Sequence, residues 1–411
     1  MKPILSGSFT TSFCYLVEEK MKMNKNMIKW GLCGIAGLLA VMGLCFAWKC
    51  PLDCIYGENS GVFLFKKQLL WNAIGIAACV GAALTPWRRW LKLAPWSMLV
   101  WFVLMVVAVG FSPARHGSHR WADFGVVTVN IHLVLVLAWA LFTAWLCSKK
   151  CIKPWMVFAF MGVLLAVAAV HVLGNANRMM RLCAVFGYGD GNAPWVCMQN
   201  QMKAAYAAAN WFGDADRSLR YLPISHAVSM PSAAALLFGK SFTLAIAALF
   251  AALGGLLTYM WIGLKNPSKQ MFIFFWGGAM VFSAFYSLFQ SVGLLSTQGF
   301  TLPLAGYGGA LAVTFYLGFG IVLSALSEAT DYVDMSRDRV FAIGGVWAVL
   351  FAIFVFGVAA APAFRQVFVT PYPNQNAFGE FGMQAKRGEI FAADGSVLAR
   401  SVKRYDVRTS K

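Results

Sequence analysis

Long unbroken apolar runs, rather than alternating ones, dominate the chain. They fall at approximately 30–48, 68–86, 94–111, 131–147, 154–173, 232–262, 270–290, 307–327 and 340–361. Each is close to, or longer than, the roughly 20 residues that an α-helix needs to cross a bilayer core. None alternates apolar and polar positions as a half-buried strand would. In hydrocarbon only helices and closed barrels satisfy their own backbone groups. The pattern predicts an all-α polytopic membrane protein with about nine transmembrane helices.

Composition agrees. Of 411 residues 60% are hydrophobic and 12% charged, whereas a soluble domain carries about a quarter charged residues. The formal net charge of +18 sits in short bursts between apolar runs, not along one helix face, which argues against nucleic acid and for a membrane with anionic headgroups. Alternate short loops hold Lys20, Lys22, Lys25 and Lys29; Arg88, Arg89 and Lys92; Lys149, Lys150 and Lys153; Lys265 and Lys269; and Arg337 and Arg339. Short basic loops face the cytoplasm. The N-terminus is therefore expected inside, with the long loops 174–231 and 362–411 outside. Residues 1–29 form a polar, Met-rich cytoplasmic segment with no signal-like apolar run; Met21, Met23 and Met27 are alternative starts.

The ten cysteines include no C-x-x-C pair and no His grouping that suggests zinc. Cys183 and Cys197 flank a Gly-rich outer loop; they form either a disulfide in an oxidising compartment or two free thiols. Cys50 and Cys54 are a second pair of the same kind.

Candidate chemistry lies in the outer loops. Arg120 and Trp121 follow the third span. The Trp is either an interfacial anchor or the neighbour of a phosphate-gripping Arg. The loop from Asn177 to Pro231 opens with Arg178 and Arg181 three apart, hence on one helical face. It continues through an amphipathic Ala-rich stretch and ends with Asp214, Asp216, Arg217, Arg220, Pro223 and His226 crowding the sixth span. Before the eighth span, GLLSTQGFTLPLAGYGG breaks helix at membrane depth. Such backbone is tolerated where it is buried in protein or lines a wet cavity. Gly308 and Gly309 then open a helix whose first N–H groups favour an anion; the other reading is turn chemistry plus close packing.

In order and spacing these residues resemble the SEDS family (shape, elongation, division and sporulation; the FtsW/RodA/SpoVE type). The matches are Arg120, Trp121 and Gly125; Arg178 and Arg181; Gln201, Phe212 and Gly213; Tyr221, Leu222, Pro223 and His226; and Gly293, Leu294, Thr297, Gly299, Pro303, Tyr307, Gly308 and Gly309. The resemblance covers about 30–330. It implies a transmembrane polymerase that takes lipid II, an undecaprenyl-linked peptidoglycan precursor, at the outer face of the bacterial inner membrane. It further implies class B penicillin-binding proteins and divisome or elongasome proteins as partners, and it admits a divalent cation, Mg or Mn.

The departures fall on acids. The family's essential Asp, two residues after the histidine, corresponds to Val228, and its Glu after the proline to Ile224. Its paired acids fall on Leu236 and Leu237, and its Gln-Pro-Ser-Glu on Asn130, Ile131, His132 and Leu133. A helical pair before Arg178 is missing, which preserves sidedness. The span at 340–361 is additional; beyond it Arg387, Gly388, Ile390, Gly395, Leu398 and Ala399 resemble the start of a class B penicillin-binding protein pedestal, with Ala392 in place of an Asp. Segment 362–411 thus reads as a periplasmic stub of that partner, ending before any Ser-x-x-Lys. The expected reaction is glycosyl transfer from lipid II. Arg120, Arg178, Arg181, Arg217 and Arg220 would serve the pyrophosphate, and Asp214 or Asp216 would be a displaced acid; the alternative is a catalytically silent scaffold.

Overall fold

In a computed structural model of the chain, the long apolar runs form helices. The structure describes residues 20–21, 25–50, 60–112, 121–123, 128–149, 194–213, 228–328, 335–368, 390–391 and 397–399. Among them are eight helices long and apolar enough to cross a membrane, with mean hydropathy between 1.3 and 2.5 over their best windows. The protein is a multi-pass α-helical membrane protein. The run at 154–173 lies outside the described residues.

In chain order the helices are α1 (Lys25–Lys49), α2 (Ser60–Leu84), α3 (Trp87–Gly110) and α4 (Ile131–Ser148). Then come α5 (Pro194–Ala208), α6 (Met230–Phe238) and α7 (Lys240–Gly263). Next are α8 (Pro267–Ser291), α9 (Gly309–Ser327) and α10 (Arg337–Phe368). Two helices start seven or more residues before their apolar runs. Helix α2 begins at Ser60 and takes in Lys66 and Lys67, Lys67 lying 4.8 Å from the Phe63 ring. Helix α3 takes Arg88, Arg89 and Lys92 into its first turns and continues through Pro95.

The run at 232–262 is not one span. It breaks at Gly239, whose φ of 93° puts it in the region that favours glycine. A Cβ there would also run into the backbone of Trp211 and Phe212. Helix α6 is therefore a short buried helix, and the crossing is α7. The break leaves first-turn N–H groups of α7 without intrahelical partners. Those of Lys240 and Ser241 donate to the carbonyls of Asn210 (2.9 Å) and Trp211 (3.1 Å).

Helix α9 packs along α2. Close approach depends on small residues: a Cβ at Gly75 would meet the Tyr316 ring, and one at Gly320 the Cys79 carbonyl and Ala82. Helix α8 contains a π-helical turn, Ile273–Gly277. It places Trp276, fully buried, where a Cβ at Gly318 would otherwise stand. Helices α3 and α10 bury few of their apolar side chains, as lipid-facing helices do.

Three two-stranded pairings complete the description. Between α3 and α4, β2 (Trp121–Asp123) pairs antiparallel with β3 (Thr128–Asn130). Ahead of α1, β1 (Lys20–Met21) pairs with β4 (Met335–Ser336), which leads into α10. In the separate unit Thr370–Lys411, β5 (Ile390–Phe391) pairs with β6 (Val397–Ala399).

The candidate site at the amide-lined end

The segment 292–308 joins α8 to α9 and is non-helical after its first turn. Its backbone takes two left-handed glycines, Gly293 (φ 81°) and Gly299 (φ 83°), and one left-handed leucine, Leu304 (φ 62°). A leucine in that region costs about 1–2 kcal/mol. Leu304 is held there by full burial and by α1, since a Cβ on Gly43 would collide with the carbonyls of Leu304 and Ala305.

A helix pairs its own carbonyls, but an irregular segment must find donors elsewhere. Here glutamines from three helices supply them. Gln290 Nε2 donates to Phe300 O (2.8 Å) and to Val228 O (3.5 Å), while its Oε1 accepts from Gln298 N (3.3 Å). Gln199 Nε2 donates to Leu295 O (3.2 Å). Gln68 Nε2 donates to Gly306 O (3.4 Å), and its Oε1 accepts from Gly308 N (3.3 Å). Tyr286 donates its hydroxyl to Ser296 O (3.0 Å). Behind Gln68, Asn72 donates to the Gln68 carbonyl and accepts from the Tyr316 hydroxyl (2.9 Å).

Among the sequence-predicted residues, Thr297 and Pro303 are buried in this segment and Tyr307, Gly308 and Gly309 are half-buried at its end. The N–H of Gly308 is taken by Gln68, and a Cβ on Gly309 would strike the Trp71 indole, so close packing accounts for part of the double glycine. Gln201 lies in α5, its Oε1 buried with no partner among the described residues. Phe212 and Gly213 are exposed beside the Gly239 break. Trp121 and Cys197 are described in their backbone alone, in β2 and α5. Arg120, Arg178, Arg181, Cys183, Asp214, Asp216, Arg217, Arg220, Pro223 and His226 lie outside the described residues. At the start of α4, Asn130 caps the helix by accepting from His132 N (3.0 Å).

Val228 is 9% exposed, and its carbonyl is tied to Gln290. Two buried lysines at this end have no counterpart among the residues picked out from the sequence. Lys203 in α5 packs its stem on Gly293, which explains the glycine, and burial lowers its ammonium pKa below the usual lysine value. Lys240, 5% exposed, holds its Nζ 5.6 Å from the Trp211 ring centroid. The Tyr206 phenol, fully buried beside Thr243 and Ser291, is pushed by burial to about 12. Among the described residues no three His, Cys, Asp or Glu side chains stand together as a metal would require. The described lining offers amides and hydroxyls instead, a poor set for Mg or Mn.

The model for the FtsW/RodA/SpoVE cell cycle proteins matches residues 28–186. The chain is 25% identical to a probable peptidoglycan glycosyltransferase FtsW of Pseudomonas fluorescens over 361 aligned positions, 70% of this chain and 86% of that one. It is 22% identical to the peptidoglycan glycosyltransferase MrdB of Escherichia coli K12, with 65% and 86% covered. The chain is thus similar in sequence to FtsW and RodA-type proteins over much of its length. Its fold is also that of Thermus thermophilus RodA (TM-score 0.51, 20% identity, 74% of this chain and 97% of that one). A chain from a peptidoglycan synthase complex superposes with a TM-score of 0.59 at 17% identity, 73% and 97% covered.

The signal for two of the glutamines was in the sequence: Gln68 and Gln290 are lone amides at the edges of apolar runs, whereas Gln199 sits in the polar stretch with Asn200 and Gln201. Their partners lie as far as 240 positions away, which no local pattern carries.

Proposed function

We propose that this SEDS-like protein acts as a peptidoglycan glycosyltransferase-like component of cell division or cell shape, working on lipid II at the amide-lined end. The observation that carries the reading is the convergence, at one end of a SEDS-like bundle, of the 292–308 segment, Val228 and the α5–α6 region. By the positive-inside tendency, the opposite, basic end faces the cytoplasm and the site faces outward from the bacterial inner membrane.

Glycosyl transfer from a lipid pyrophosphate needs cations where the leaving group gathers charge and a base at the attacking hydroxyl. We assign the first role to Arg120, Arg178, Arg181 and Arg220, with Lys203 and Lys240 adding positive charge at the same end. The acid would be Asp214 or Asp216, displaced along the loop from the position now held by Val228. The 370–411 unit is read as the beginning of a class B penicillin-binding partner, its paired strands β5 and β6 carrying Ile390, Leu398 and Ala399 of the matching motif. Cys183 and Cys197 are the proposed disulfide of the outer loop.

Val228 itself favours a second reading. A buried apolar side chain stands at the family's acidic position, as expected of a catalytically silent scaffold that binds lipid-linked precursor or a transpeptidase. Purified protein given lipid II and a divalent cation separates the two. Glycan strands that disappear in both Asp214→Ala and Asp216→Ala, or in one of them, support the displaced acid. Strands that persist in both variants remove that assignment, and no product with precursor still bound supports the scaffold.

A further inference from the structure

At the end opposite the candidate site, the turns between α2 and α3, after α4, between α7 and α8 and after α9 surround a cavity of about 570 Å³, within the size range of ligand sites. Three cationic side chains line it, Arg88, Lys265 and Lys269, against one carboxylate, Glu328. Lys269 is 5% exposed, and its Nζ donates to the Ala325 carbonyl at 2.9 Å. Holding an ammonium in such a place is costly unless its remaining N–H groups find partners.

Glu328 offsets only one of the three positive charges. Its Oε1 accepts from the N–H of Trp87 at 3.0 Å and so serves as a cap on α3. Asn266 spends its Oδ1 on Ser268, accepting from the N–H (3.0 Å) and the hydroxyl (2.8 Å), and its amide nitrogen is left as a donor at the cavity edge. The lining is thus rich in donors and poor in acceptors. It lies at the ends of spanning helices, where headgroups lie in a bilayer. Along α3 from Arg88, Leu93 (48% exposed) and Trp96 (64% exposed) continue as apolar surface on which an acyl chain can rest.

We propose that this cavity is a site for a phosphate ester, the headgroup phosphate of a lipid in the adjoining leaflet. Arg88 and Lys265 engage the phosphate from the rim, Lys269 and the Asn266 amide from within, and the acyl chains descend along α3. The site is separate from the glycosyl-transfer end and does not depend on that reading.

The test uses the full chain in detergent, incubated with vesicles of equal phosphatidylglycerol and phosphatidylcholine, with bound lipid counted by native mass spectrometry. Each cation near an anionic headgroup contributes about fivefold, so Arg88→Gln with Lys265→Gln is expected to lower the phosphatidylglycerol preference at least roughly tenfold. Lys66→Gln with Lys67→Gln, exposed at the opposite end of the bundle and outside the cavity, is expected to keep it. A second arm measures melting temperature with inorganic phosphate. A rise that only the Arg88/Lys265 pair abolishes supports the site with a soluble phosphate ester as its source; no rise leaves the lipid as the source. Equal loss in the two double variants, or equal retention of both lipids by the unaltered protein with no response to phosphate, overturns the proposal.

Discussion

At one end of the bundle the buried polar side chains that hold the turns include charged groups, and at the other they are mainly amides. The basic end is built from tight turns, such as Pro86 to Arg89 and Asn266 to Gln270, whose backbone groups largely pair with one another. Charged side chains there can remain available to something outside the protein. At the amide end the 292–308 segment leaves carbonyls facing inward, and Gln68, Gln199 and Gln290 are used up in pairing them. An amide does this without a buried charge, which would cost more than the hydrogen bond returns. Glutamine here marks irregular backbone, whereas the lysines at the opposite end line the proposed phosphate site.

The sharpest way to break the amide end goes through α1. Gly43→Val should destabilise by about 2–3 kcal/mol, because the neighbours it would strike are the Leu304 and Ala305 carbonyls and not flexible side chains. Gly37→Ala on the same helix meets open space and should be neutral or up to about 1 kcal/mol stabilising. Thermal denaturation in detergent measures both, and equal effects would mean that α1 does not clamp the segment. Next in size is Gln290→Leu, which strands the carbonyls of Phe300 and Val228 and should cost about 2 kcal/mol. Gln290→Glu, losing the donor nitrogen, should not rescue it.

The smallest effect concerns Lys203. Its folded pKa is lowered, so the folded state releases its proton before the unfolded chain does. Below the lowered pKa the buried charge is a constant cost; between that value and the ordinary lysine pKa, stability rises with pH. Melting temperature followed on the alkaline side of neutrality should rise less steeply in Lys203→Met than in the unaltered protein. Parallel profiles would mean that Lys203 is solvated.

The spans were legible in the sequence because burial in lipid demands contiguous apolar residues whatever the tertiary packing. Their ends were less so. Lys66 and Lys67 interrupt the apolar run of α2 without interrupting its helix, and Arg88 and Arg89 do the same to α3. The break at Gly239 was hidden because apolar residues continue on both sides of it, and what fixes it is the approach of Trp211 and Phe212 from 27 or more positions earlier. At the site, the Gly and Pro density of 293–309 announced irregular backbone correctly. It did not announce which side chains would pair it, since that depends on how α2, α5 and α8 are brought together. The buried lysines were passed over for a similar reason: in sequence a lone cation beside an apolar run is indistinguishable from one that snorkels to water.

The π-helical turn at Ile273–Gly277 has a consequence for the whole length of α8. It amounts to one residue more than an α-helix would use, and each residue advances the helix by about 100°. Excising a single residue there would therefore turn the first half of α8 by more than a quarter of a revolution against the second. Lys269 would swing away from Ala325, while Gln290 kept its hold on Phe300. The bulge is the phase setting that lets one continuous helix address both ends of the molecule at once.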